Sequence, residues 1–327
     1  MSYAGQDTKG ISIKETSDAR EVAGDIITGL SATPPRLPSK YFYDETGSVL
    51  FDQICTLPEY YPTRTETGIL RDNISSVCDA IGTGSLLIEP GCGSCDKTRI
   101  LLEHHDDLAG FVPIDISGDY LKSIAGDIQE QHPGLSVQPL ALDFMQPFEL
   151  PDSGGHASEA RRVVFYPGST LGNFVPSQAR KFLAQMASLI GKDGRLILGL
   201  DQKKDPAILE KAYDDAQGVT ADFNLNMLHH LNRRLGQSVF DVSAFRHRAR
   251  WNEDENRIEM HLVSRYAHEF VLQEKRYTFE KDDYIITEFS HKYTDDSLRK
   301  LLAGLFEITQ VWKDDDGLFG LYCIEPV

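Results

Sequence analysis

Long apolar runs are missing from this chain. Nowhere do the ~20 consecutive apolar residues that span a bilayer occur, and the opening stretch, Met1 to Ala19, lacks the apolar core of a secretory signal. No membrane partner is expected, and the expected location is the cytoplasm. Positive charge is also scarce: 33 Lys and Arg stand against 50 Asp and Glu, a formal charge of -17, with no local basic stripe. That balance repels phosphate backbones and excludes nucleic acid as an expected partner. Cysteine is sparse, at five residues in an odd count without framework spacing, which fits a reducing compartment. Cys92 and Cys95 spell C-x-x-C, the spacing of a redox pair or half a zinc site, but no second such pair exists and Cys55, Cys78 and Cys323 are scattered. No metal is expected.

What is present is an ordinary globular composition, 41% hydrophobic and 25% charged over 327 residues, enough for one large core or two domains. The chain is organised around Glu89-Pro90-Gly91-Cys92-Gly93-Ser94-Cys95-Asp96-Lys97. This stretch follows the short apolar run Ser85 to Ile88, a strand by its length, and precedes Thr98 to Glu103, which has helical spacing. Gly91 and Gly93 therefore sit at a strand-to-helix turn, where a backbone without Cβ atoms can approach a nucleotide-like ligand closely. The third glycine of a dinucleotide fingerprint is missing, so the turn alone does not separate a nucleotide site from an ordinary tight turn. Glu89, at the strand's end, suits a cationic ligand.

Around that turn, βα units repeat. Phe111 to Asp115 reads as a strand, Tyr120 to Gln131 as a helix, Leu135 to Leu142 as a strand ending at Asp143-Phe144, and Arg162 to Tyr166 as a fourth strand before Pro167-Gly168-Ser169-Thr170-Leu171-Gly172-Asn173-Phe174. Pro176 to Ile190 is helical and Arg195 to Asp201 is a strand. Asp115 falls about 20 to 25 residues beyond the glycine turn, where an acid can bind both ribose hydroxyls. Upstream, Ile11 to Gly29 reads as a helix, a stretch dense in aromatics runs from Tyr41 to Arg64, and a helix from Thr65 leads to Gly82. The aromatics are either a packed irregular cap or a pocket wall. Pro151 to Ala160, small and polar, reads as an exposed loop. Beyond a helical segment near Ile208 to Ala216, alternation over Ser238 to Phe245, Ile258 to Leu262, Val271 to Phe279 and Tyr284 to Tyr293 predicts an inserted antiparallel meander. Glu288 and Ser290 share one face of its last strand. Ser297 to Leu305 is helical, and Phe306 to Ile324 forms a terminal hairpin. The expected fold is α/β: a doubly wound, mostly parallel sheet ending in an antiparallel hairpin, with a second α+β domain built from the N-terminus and an insertion.

With Glu89-Pro90-Gly91-Cys92-Gly93, Asp115, Asp143-Phe144 and the terminal hairpin in one chain, the α/β part resembles a class I, Rossmann-like S-adenosylmethionine-dependent methyltransferase. Lys40-Tyr41-Phe42-Tyr43-Asp44, Leu57 to Arg64, Pro167 to Phe174, Ala212-Tyr213-Asp214-Asp215 and Thr287-Glu288-Phe289-Ser290 narrow this. Together they resemble the histidine Nα-methyltransferases of ergothioneine biosynthesis, over nearly the whole chain. The resemblance implies trimethylation of the histidine α-amino group to hercynine, with S-adenosylmethionine as donor and S-adenosylhomocysteine as product. It implies a methyltransferase domain over 65–204 and 294–327, and a histidine-binding domain over 10–64 and 205–293.

By the same resemblance, Tyr60, Glu288 and Ser290 hold the imidazole and Asn173 and Tyr213 the carboxylate. Tyr43 lies near the amine, Tyr43 and Asn173 serve catalysis, and Phe51, Gly168 and Met260 complete the substrate site. Gly91, Lys97, Asp115, Asp143 and Phe144 hold the cofactor. Phe51 and Tyr43 are candidates for cation–π contact with the methylated amine, though Phe51 fits plain core equally well. Lys97 stands in the first turn of its helix, against the macrodipole, and a ligand carboxylate would compensate it. A monomer is expected. The runner-up function is methylation of another amino acid or small amine on the same scaffold.

Overall fold

The computed structural model describes residues 9–151 and 159–327, with side chains from Asp18 onward. Most of the predicted 151–160 loop lies outside the described residues. In chain order the elements begin with α1 (Lys9–Leu30), α2 (Glu45–Thr56), α3 (Tyr61–Asp72), α4 (Ile74–Ile81), β1 (Leu86–Pro90), α5 (Asp96–Leu102), β2 (Gly110–Asp115), α6 (Gly118–Gln131) and β3 (Leu140–Ala141). They continue with β4 (Arg162–Tyr166), α7 (Pro176–Ile190), β5 (Arg195–Asp201), α8 (Pro206–Tyr213), α9 (Val219–Leu235), β6 (Phe245–Asn252) and β7 (Arg257–Ser264). The last are β8 (His268–Leu272), β9 (Lys275–Phe279), β10 (Tyr284–His291), α10 (Asp295–Leu302), β11 (Phe306–Lys313) and β12 (Phe319–Pro326).

Two compact units share these elements. One runs to Tyr61 and resumes over Asp205–Phe289, and the other comprises Pro62–Lys204 and Ser290–Val327. The second holds a seven-stranded sheet in the order β11-β12-β5-β4-β1-β2-β3. Its inner strands are parallel, while β12 runs antiparallel to β5 and to β11. Alternation along β1 explains why both faces are covered: Leu87 packs with residues of α3 to α6, and Leu86 and Ile88 pack with residues of α7 and α10. From β1 the chain winds one way to β2 and β3, then returns to β4 on β1's other side. The strand order therefore reverses between β1 and β4, the place where open α/β sheets receive ligands.

The other unit packs α9 against α1, α2, β6 and β7. It contains the sheet β10-β7-β6 and a separate hairpin, β8-β9. The predicted single meander is therefore two sheets, and the strand placed at Ser238 to Phe245 begins only where that stretch ends, at Phe245. Three further expectations are corrected. The aromatic stretch contains a regular helix, α2, capped by the Asp44 carboxylate on the Gly47 N–H at 2.7 Å. The long helix from Thr65 is two helices, broken at Asn73. The third strand shrinks to Leu140–Ala141, with one isolated bridge from Val137 to Phe111, because this edge of the sheet is only partly buried.

Candidate functional site

In the sheet unit the glycine turn folds as its sequence requires. Gly91 has φ +69°, and a Cβ there would stand 3.2 Å from the Phe144 ring, so the turn and the aromatic after β3 are fitted to one another. Phe144 meets Tyr166 and Phe182 edge-on at 6.2 and 6.0 Å. Asp115, at the tip of β2, accepts the Ser117 N–H at 2.9 Å and the Gly93 N–H at 3.3 Å. Its carboxylate is thereby tied to the glycine turn. Asp143 accepts the Met145 N–H at 2.9 Å.

Two buried acids shape this unit. Glu89 is buried, accepts the Thr98 hydroxyl at 2.6 Å, and is pushed up by burial to about 8. Burial therefore favours its protonated, hydrogen-bonded form over the carboxylate that a cationic ligand would meet. Glu66, which sequence reasoning did not single out, is fully buried on α3. Its carboxylate accepts the Gly168 N–H at 3.0 and 2.8 Å and pairs with the Lys97 ammonium at 2.7 Å. The protein itself thus supplies a carboxylate for the lysine at the start of α5, and the same carboxylate ties β4's following loop to it. No pattern in Arg64-Thr65-Glu66-Thr67 announces this. Asn173 ends the short turn Thr170–Asn173, partly buried, and Gly172 packs so closely on His291 that a Cβ would lie 2.8 Å from its carbonyl oxygen.

In the other unit, Tyr43, Phe51, Tyr60 and Tyr213 belong to one aromatic cluster. Tyr43 meets Phe51 at 5.8 Å, Phe51 meets Tyr60 at 6.4 Å, and Tyr60 meets Tyr213 at 5.9 Å between ring centroids. Phe223 of α9, which the sequence analysis missed, contacts Tyr43 and Phe51 and stacks on Phe42 at 4.5 Å. Burial pushes the Tyr60 hydroxyl far up, and neighbouring Tyr213, Cys55, Glu288 and Tyr43 add to the shift in that order. Tyr60 therefore stays a neutral phenol beside the half-buried Glu288. Tyr43 keeps 42% of its surface exposed.

A buried hydrogen-bond hub supports this group. Asn224 of α9, fully buried, donates to His247 Nδ1 at 2.8 Å and to the His261 carbonyl at 3.1 Å, and accepts the Thr287 hydroxyl at 2.8 Å. His247 Nε2 in turn donates to the Tyr213 carbonyl at 2.8 Å. Burial holds His247 below its ordinary value, so the neutral ring fits both bonds. Thr287 also donates to the carbonyl of buried Met260 at 3.1 Å. The segments carrying Tyr213, Met260 and Glu288 are thus pinned by one asparagine.

The predicted residues therefore divide. Tyr43, Phe51, Tyr60, Tyr213, Met260 and Glu288 lie in one unit, and Gly91, Lys97, Asp115, Asp143, Phe144, Gly168, Asn173 and Ser290 in the other. The boundary passes through β10 between Phe289 and Ser290. Among the described residues no cluster of His, Cys, Asp and Glu is suited to a metal, and no helix is long and apolar enough to cross a membrane.

A seven-stranded sheet of this order, with a glycine turn after β1, an acid at the tip of β2 and an antiparallel β12 beside β5, defines an S-adenosylmethionine-dependent methyltransferase. The family model described as "Histidine-specific methyltransferase, SAM-dependent" matches residues 22–326, and the chain belongs to that family. Among its relatives are a histidine N-alpha-methyltransferase of Mycolicibacterium smegmatis, 40% identical across 93% of this chain and 95% of the relative. Another, of Mycobacterium tuberculosis, is 41% identical across 91% and 92%. A 4-dimethylallyltryptophan N-methyltransferase of Penicillium roqueforti is 28% identical across 78% of each chain.

Proposed function

We propose that this chain transfers methyl groups from S-adenosylmethionine to the α-amino group of L-histidine, three times, giving hercynine for ergothioneine biosynthesis. In this reading 65–204 and 294–327 take the methyl donor, and 10–64 and 205–293 take the amino acid. The observation that carries it, beside family membership, is the gathering of Tyr43, Tyr213 and the Glu288 carboxylate about the buried hydroxyl of Tyr60. An imidazole offers that group both a donor and an acceptor.

Gly91, Lys97, Asp115, Asp143 and Phe144 would hold the donor at the glycine turn and the strand tips beside it. Bound S-adenosylmethionine supplies a methyl group on a sulfonium sulfur. Glu288 accepts an imidazole N–H in a charge-assisted bond, while Tyr60 or Ser290 addresses the second ring nitrogen. Asn173 and Tyr213 fix the carboxylate, and Gly168 and Met260 bound the site. Holding the amine in line is worth up to about 7 to 11 kcal/mol in well-oriented systems, so positioning carries most of the catalysis. Tyr43, part exposed, orients the lone pair of the amine or passes its proton to water. Tyr43 and Phe51 then face a quaternary cation that cannot donate a hydrogen bond, and aromatic faces stabilise it by about 0.5 to 2 kcal/mol.

Release of S-adenosylhomocysteine, measured with each amino acid in turn, tests the assignment. Histidine should give the highest kcat/KM. Glu288→Ala should weaken histidine at least about 10-fold while leaving S-adenosylhomocysteine binding intact. Equal loss of both ligands refutes the recognition role, and preference for another amino acid favours the runner-up, which the tryptophan-derived relative illustrates.

A further inference from the structure

In the unit of the aromatic cluster, one face of α9 holds the segment that carries Tyr43. Phe223, Asn226, His230 and Arg233 stand at i, i+3, i+7 and i+10, a single stripe of the helix. Each of them meets that segment. Phe223 stacks on the Phe42 ring at 4.5 Å, and His230 Nδ1 donates to the Tyr41 carbonyl at 2.9 Å. The Asn226 amide donates to Asp44 Oδ1 at 2.8 Å, and the Arg233 guanidinium pairs with Asp44 Oδ2. Asp44 Oδ1 also accepts the Gly47 N–H at the start of α2. Between these anchors the chain turns sharply. Tyr43 has φ -96° and ψ 72°, and the Asp44 N–H reaches back to the Phe42 carbonyl at 3.2 Å, an inverse γ-turn.

We propose that Asp44 is a positioning residue for methyl transfer: held by Asn226 and Arg233, it fixes the turn at Tyr43 and so sets where the Tyr43 hydroxyl stands. This rests on the reading of Tyr43 given above. A ring with 42% of its surface exposed is not located by burial alone, so its place follows from the direction in which the backbone presents it. The turn keeps that direction while both its ends are held. Phe42, with no exposed surface, holds one end against Phe223, and the Asp44 carboxylate holds the other. Capping α2 does not by itself call for α9, because serine or asparagine caps a helix as well as aspartate does. The bonds from α9 are additional to the cap, and the Asn226 bond is shielded from water, with Asn226 6% exposed. In-line transfer is sensitive to placement: an error of about 1 Å introduced far from the reacting atoms can cost about 100-fold in rate. Loosening Asp44 therefore reaches kcat more than the binding of histidine, which rests on other residues.

The test measures kcat and the KM for histidine at saturating S-adenosylmethionine, by release of S-adenosylhomocysteine. Asp44→Ser keeps an oxygen for the Gly47 N–H but is too short to reach α9, and Asn226→Ala removes a donor from the α9 side while leaving the cap. Each should lower kcat about 10-fold with KM within about 2-fold of wild type. Asp44→Ser, which preserves the cap, carries the test alone should Asn226→Ala fail to fold. Asp44→Asn keeps both the cap and an acceptor for Asn226 and loses only the pair with half-exposed Arg233, so it should retain at least about half of wild-type kcat. In a Tyr43→Phe background Asp44→Ser should cost nothing further, because the hydroxyl it positions is already gone. Losses that multiply in that cycle, Asp44→Asn no better than Asp44→Ser, kcat of Asp44→Ser within about 2-fold of wild type, or KM raised as far as kcat is lowered each overturn the proposal while leaving the enzyme's function standing. A Tyr43→Phe enzyme with wild-type kcat overturns the reading of Tyr43 and the proposal with it.

Discussion

Asn224→Ala is the perturbation that reaches furthest, because Asn224 makes three hydrogen bonds from a fully buried position. Thr287 keeps a partner, since its hydroxyl also reaches the Met260 carbonyl. His247 Nδ1 and the Asn224-directed lone pair of the His261 carbonyl lose theirs. At about 1 to 1.5 kcal/mol for each bond, with the buried groups left behind, the expected loss of stability is about 3 to 4 kcal/mol. The assay can be confined to one unit. The chain has two tryptophans, Trp251 on β6 and Trp312 on β11, one in each unit, so Trp312→Phe leaves Trp251 as the only indole reporter. Urea unfolding followed by that fluorescence should show the loss. Because His247 holds the Tyr213 carbonyl and Thr287 adjoins Glu288, histidine affinity should also fall about 10-fold. A Trp251 transition shifted by less than about 1 kcal/mol, with histidine affinity within about 2-fold, would refute the hub's role.

Other outcomes follow from the sheet unit. Glu89 has its carboxyl raised from an ordinary 4.5 to about 8, so the folded protein holds a proton that the unfolded chain has lost, and stability declines as pH rises through that window. The decline is bounded at about 5 kcal/mol; Glu89→Gln keeps an acceptor for the Thr98 hydroxyl and should flatten it, so parallel melting-temperature profiles for the two proteins between pH 5 and 9 would contradict this. At Gly199 a Cβ would lie 1.9 Å from Glu66 Oε1, so Gly199→Ala should push that carboxylate off Lys97 and the Gly168 N–H. S-adenosylhomocysteine affinity should drop about 10-fold by calorimetry, and Glu66→Gln should show a similar loss. Tyr166→Phe removes a buried hydroxyl that has no hydrogen-bond partner among the described residues and should leave the melting temperature level or higher.

The βα alternation was legible because the inner strands β1, β2, β4 and β5 are buried on both faces and the glycine turn is local chemistry. α9 was not legible, for a physical reason. Its buried side carries Asn224, Asn226 and His230, so the apolar stripe that betrays a helix is interrupted by polar residues whose partners come from distant segments. α2 hid behind Thr46, Gly47 and Ser48, yet Gly47 is required where a Cβ would collide with the Phe42 carbonyl at 1.8 Å. Of the candidate residues, the aromatics and Glu288 stood out by type, while Glu66 looks like an ordinary surface charge in sequence. Only its burial distinguishes it.

The most direct measurement of the central claim is product analysis. Purified protein, L-histidine and excess S-adenosylmethionine should yield histidine carrying one, two and finally three methyl groups, and the end product should show the single sharp proton resonance of an α-trimethylammonium group. Methyl groups on an imidazole nitrogen, or no transfer to histidine at all, would contradict the account.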